Sequence, residues 1–180
     1  MKTYDITPLY EFMDKSTLEK CVKCRNFAIE YEQDNHIDNT NLSDCCAVAD
    51  IGMTFINTLI KNKKEQLLPS EKELINAHSY FGYQILMDYG MEDLALVAAF
   101  HQKWNHYDLY ERVITVEISD EIKDMARKVG TIDVYIALTS DRPYRDALPA
   151  IDAYEFMQSQ KEDFDEDILR YIKKKASLNP

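Results

Sequence analysis

The chain has 180 residues, 46% of them hydrophobic, and a formal net charge of −11. That is enough apolar material for one buried core, and the acidic balance argues against the basic face that holds DNA or RNA non-specifically. Four glycines and five prolines are too few for the tight turns of a β-sandwich or barrel, so a single all-α domain is expected.

Residues 1–15 form an N-terminal lead-in, with a short helix over 5–14. Helical spacing of Leu18, Cys21, Val22, Ala28 and Tyr31, with Phe27 out of register, predicts a helix over 16–33. Ser16 and Glu19 resemble a capping box at its start. Residues 34–40 are polar and read as a loop. Residues 41–61 are apolar on most faces and predict a central buried helix, followed by a solvated charge run over 61–64. Ser70, with Glu73 three residues on, starts the next helix, which ends near Gly90. Further helices are expected over 92–103, 121–138, 146–158 and 164–175. The region 104–118 is loop-like, with an extended stretch over 113–118. The tail 176–180 is expected to fray. The count is seven or eight helices, with the main domain over 16–175.

No stretch approaches the ~18 apolar residues of a membrane span. The opening Met-Lys-Thr-Tyr-Asp-Ile lacks the apolar run of a signal peptide. A cytoplasmic protein is expected, with no membrane or nucleic-acid partner and its cysteines reduced. Cys21 and Cys24 form a C-x-x-C, but no second pair accompanies it. Buried structural thiols are a better reading than a zinc site.

The richest segment is 130–145. Asp133 stands within an apolar run, and Arg142 and Arg145 bracket Pro143-Tyr144 just beyond a helix end. A carboxylate among apolar neighbours is costly to bury without a partner, and two arginines suit an anionic ligand. Three further metal-type side chains, Asp50, His78 and His101, lie on other predicted helices. Helical bundles build metal sites from inward-facing residues of this kind. Each residue also has an ordinary alternative. The histidines could be satisfied core residues, and Asp133 could accept hydrogen bonds from backbone or a thiol. Arg142 and Arg145 could cap the preceding helix or pair with Asp141 and Asp146. Trp104, Tyr107 and Tyr110 read as packing rather than a base-stacking platform, and His36 and His106 as exposed loop residues.

The order and spacing of these segments resemble the HD-GYP branch of the HD superfamily, all-helical metal-dependent phosphohydrolases that act on cyclic di-GMP. Ala49-Asp50-Ile51-Gly52-Met53 stands where that family has His-Asp-Ile-Gly-Lys. His78 through Gly82-Tyr83-Gln84-Ile85-Leu86 is similar to its helix of His, Gly and an apolar end. Phe100-His101-Gln102-Lys103-Trp104-Asn105 stands where the family has His-His-Glu-Arg-Trp-Asp. Residues 132–145 match almost throughout, with Ile136 replacing a second acid, and Phe164-Asp165 also fits. The resemblance spans about residues 16–172.

The departures fall on the chemistry. Ala49, Met53 and Phe100 replace a histidine, a lysine and a histidine. The Gly-Tyr-Pro loop is absent from 106–110. The first helix offers only Met13 and Thr17 where the family has ligands. The resemblance therefore implies a partial metal site of Asp50, His78, His101 and Asp133, holding one Fe, Mn or Zn ion or none. It implies a degenerate domain that binds cyclic di-GMP or a related nucleotide through Arg142 and Arg145, or a signalling protein such as a diguanylate cyclase domain, and that could form a homodimer. The alternative is a reduced phosphohydrolase using a single ion, with Asp50 and Asp133 in catalytic roles. A third reading is a purely structural self-associating domain.

Overall fold

The computed structural model describes residues 1–38, 41–102, 114, 118–143 and 145–178. Trp104, His106, Tyr107, Tyr110 and Tyr144 lie outside the described residues. So does the expected extended stretch, apart from Ile114 and Ile118. Among the described residues the protein is all-α, as expected, and no helix is long and apolar enough to cross a membrane.

Helix α1 (Thr7–Phe12) buries Leu9 completely and leads into α2 (Lys15–Asp34). The cap of α2 is Asp14, whose carboxylate accepts from the Ser16 and Thr17 amides at 3.0 and 3.2 Å, not the expected box at Ser16 and Glu19. The buried stripe is Thr17, Cys21, Cys24, Phe27, Ala28 and Tyr31. Phe27 is therefore in register, and Val22 is the residue turned outward.

The expected helix over 41–61 is three pieces: α3 (Leu42–Val48), a 3-10 turn (Ile51–Phe55) and α4 (Thr58–Lys61). Close packing forces the break. A Cβ on Gly52 would lie 2.0 Å from the His78 carbonyl oxygen and 2.5 Å from the Gly82 nitrogen, so the turn rests directly on the backbone of another helix. Lys61 is not part of a solvated run, since its side chain is 8% exposed and bonds Asp14 at 2.7 Å.

The next predicted helix is also broken, at Ala77, into α5 (Pro69–Asn76) and α6 (His78–Asp88). The cap of α5 is Leu68, two residues before the expected Ser70, with Pro69 in the first turn and the Glu71 carboxylate accepting from the Leu68 amide at 2.7 Å. Gly90, at φ 71°, closes α6 in a Schellman motif: Met91 N donates to Leu86 O and Gly90 N to Met87 O. Helix α7 (Glu92–Phe100) buries Leu94, Ala95, Val97, Ala98, Ala99 and Phe100 and stops at His101. Helix α8 (Asp120–Leu138) is capped by Ser119, and α9 (Ala150–Gln158) precedes α10 (Glu166–Leu178). Helix α10 continues to Leu178, into the expected tail, and Ala176 is 1% exposed.

Helices α2, α3, α7 and α8 pack around one core, with α6 laid over α7 and the 3-10 turn. Ile6, Leu9 and Met13 of the lead-in belong to this core. Phe27, Tyr31, Tyr135 and Tyr171 form a chain of aromatic contacts, 5.2 to 5.5 Å between centroids, that fastens α2 and α8 to α10.

Candidate metal centre

The two helix breaks aim the chemistry. Asp50 ends the corner after α3 and is 3% exposed. His78 opens α6 just past the break at Ala77, and His101 ends α7; each is 1% exposed. The three come from separate elements, yet their ligand atoms all lie within 4.8 Å of one another. His78 Nε2 is 3.1 Å and His101 Nε2 3.5 Å from Asp50 Oδ1, with the ring centroids 5.4 Å apart.

The far side of each ring fixes its tautomer. His78 Nδ1 faces the Ile75 carbonyl at 2.5 Å, and His101 Nδ1 faces the Ala98 carbonyl at 2.8 Å. A carbonyl only accepts, so both Nδ1 atoms carry a proton, and both Nε2 atoms face the Asp50 carboxylate. Lone pairs facing a carboxylate in a buried site repel unless a proton or cation lies between them. Asp50 Oδ1 and His101 Nε2 are buried without a partner in hydrogen-bonding geometry. Burial pushes the His101 pKa down, but the Asp50 carboxylate outweighs it and the net shift is upward. Burial likewise opposes ionisation of Asp50, yet Lys20 and the two imidazoles hold its carboxyl well below the usual range. One carboxylate oxygen and two imidazole nitrogens, with second ring nitrogens held by carbonyls, could hold a metal ion.

Asp133, on α8, is 7% exposed but is not a direct neighbour of this trio. The Lys20 ammonium stands between it and Asp50. Lys20 Nζ is 2.6 Å from Asp133 Oδ1 and also pairs with Asp50 Oδ2. The Cys24 thiol lies 4.0 Å from the same Asp133 oxygen. Burial lowers the Lys20 pKa, but Asp133 and Asp50 more than reverse it, so the ammonium stays charged. Sequence reasoning missed Lys20. One signal was available: it lies one turn after Thr17 on the buried side of α2, where a lysine needs a partner.

Ala49 and Phe100 are packed core residues, 4% and 0% exposed. Met13 is buried in the core, while Thr17 lines a cleft that opens from the trio. All four cysteines are buried and unpaired.

That cleft has a volume of about 640 Å³, with Asp50, His78 and Asp133 in its lining. Lys20, Lys23, Lys61 and Arg142 bring positive charge to its walls. Arg145 also borders it, but its guanidinium donates to the carbonyls of Ala137, Leu138 and Asp146 at 2.8–2.9 Å. Arg145 therefore caps α8, whereas no hydrogen bond or ion pair to the described residues holds the Arg142 guanidinium.

No family model matches the chain. It is 30% identical over 133 residues to the 3'3'-cGAMP-specific phosphodiesterase 3 of Vibrio cholerae serotype O1. The match covers 73% of this chain but 28% of that protein, so the chain spans under a third of the relative it resembles.

Proposed function

We propose that the chain is an HD-type, phosphodiesterase-like domain that binds a cyclic dinucleotide and retains one position for a divalent transition metal, with hydrolysis impaired. The carrying observation is the buried trio of Asp50, His78 and His101, whose ligand atoms converge within 4.8 Å. Asp50, His78 and His101 would hold the ion, which would supply Lewis-acid polarisation of a phosphoryl oxygen. The chain's own residues do the rest. The Ile75 and Ala98 carbonyls hold the imidazoles in the ligating tautomer. The cationic side chains of the cleft neutralise phosphate, with Arg142 free to make a two-point contact. Cyclic di-GMP and 3'3'-cGAMP are the ligands of choice, the latter because the Vibrio protein is named for it.

A reduced phosphodiesterase working with one ion is the second reading, favoured by the activity in that relative's name. Two measurements separate them. Metal analysis of protein purified without chelator is expected to give a stoichiometric transition metal that His78→Ala abolishes. Calorimetry with 3'3'-cGAMP and cyclic di-GMP is expected to show binding that Arg142→Ala weakens about tenfold, the equivalent of about 1.4 kcal/mol. Steady turnover of either nucleotide by the metal-loaded protein would establish the second reading. Equal binding by the arginine variant would remove the clamp.

A further inference from the structure

Two buried carboxylates, Asp50 from the corner after α3 and Asp133 from α8, line the same cleft. Unneutralised, such a pair repels strongly. Metalloproteins commonly resolve this with a cation bridging both. Here the bridging cation is part of the chain. Lys20 reaches in from α2, contacts Asp133 Oδ1 at 2.6 Å and pairs with Asp50 Oδ2, while Asp50 Oδ1 is left to His78 and His101.

Asp50 thus has two faces with different cation partners. One oxygen belongs to the trio and the other to an ammonium. We infer that Lys20 is a built-in second cation, which occupies the position between Asp50 and Asp133 and restricts the centre to a single metal ion. The inference rests on the metal-site reading above and deepens it.

Three features support the assignment. The Lys20 side chain is 21% exposed and the two carboxylates 4% and 10%, so the ammonium closes the position on its cleft side. An ammonium and a divalent ion compete for the same two oxygens, and both cannot be seated without crowding like charges. Moreover, lysine brings no lone pair while protonated, so it neutralises the carboxylates without becoming a ligand.

The experiment is a Mn²⁺ titration of the full chain, read as ions per chain after desalting and as anomalous peaks in Mn²⁺-soaked crystals. Wild-type protein is expected to take one ion, on the trio, with the Lys20 ammonium still bridging the carboxylates. Lys20→Glu replaces the cation with a third carboxylate and is expected to take two, the second between Asp50 and Asp133. Lys23→Glu makes the same charge change elsewhere in the cleft and is expected to stay at one. A second wild-type peak between Asp50 and Asp133, or a Lys20→Glu variant that still takes one, overturns the inference while leaving the trio intact. Wild-type protein that takes none overturns the metal reading and this inference with it. Should Lys20→Glu not fold, the wild-type diffraction experiment decides alone, one peak supporting the inference and two refuting it.

Discussion

Glycine 52 shows how one residue controls the centre. It lies two residues after Asp50 and against the backbone at His78, so a methyl group there meets a carbonyl oxygen and an amide nitrogen that cannot rotate away. Gly52→Ala is expected to destabilise the fold by about 3 kcal/mol, the upper part of the range for overpacking, measured as a lower denaturant midpoint. Because His78 would be displaced, metal uptake should fall in the same variant. Asp14 gives a different single-residue handle. Burial raises its pKa, but the Lys61 ammonium and the Ser16 and Thr17 donors overcome this and hold it well below the usual 3.8. A depressed carboxyl stabilises the fold above the unfolded value and loses that contribution as pH falls below 3.8. Asp14→Asn keeps the cap but removes the ion pair. It should cost about 1 kcal/mol at neutral pH and make stability fall less steeply between pH 4 and pH 2, as read by denaturant melts across that range.

At the scale of the element, Arg145 and Arg142 look alike in sequence and differ in the fold. Arg145 terminates α8, the helix that delivers Asp133, by bonding its last carbonyls. Arg145→Ala is expected to lose about 2 kcal/mol of stability, as charge-assisted bonds to carbonyls are removed. Arg142→Ala should stay within about 0.5 kcal/mol of the parent. Equal losses in thermal melts would mean that both arginines are structural. Helix period and turn residues made the elements themselves legible, since amphipathic stripes and Gly90 are local signals. The breaks after Val48 and at Ala77 were not legible, because they arise where the 3-10 turn meets the backbone of α6, a contact between residues far apart in the chain. Those same breaks orient Asp50 and His78. Sequence therefore named three residues that converge, while the position of Asp133 behind Lys20 needed the packing of α2 against α8.

Across the whole molecule, the trio joins the α3 corner, the start of α6 and the end of α7. An ion bound there cross-links three segments that otherwise meet through apolar packing and the Gly52 contact. It also binds the folded state alone, since the unfolded chain does not hold these ligands together. At a free Mn²⁺ concentration about 100 times the dissociation constant, the gain is about 2.7 kcal/mol. For a chain of this length that corresponds to a rise in Tm of roughly 5–10 °C. Mg²⁺ prefers an all-oxygen shell, so an equal concentration should move Tm far less, and His101→Ala should flatten the Mn²⁺ response. Differential scanning fluorimetry with a chelator reversal provides the check. A melting temperature indifferent to Mn²⁺, or equally responsive to both ions, would mean that Asp50 Oδ1 and His101 Nε2 are satisfied by a shared proton instead.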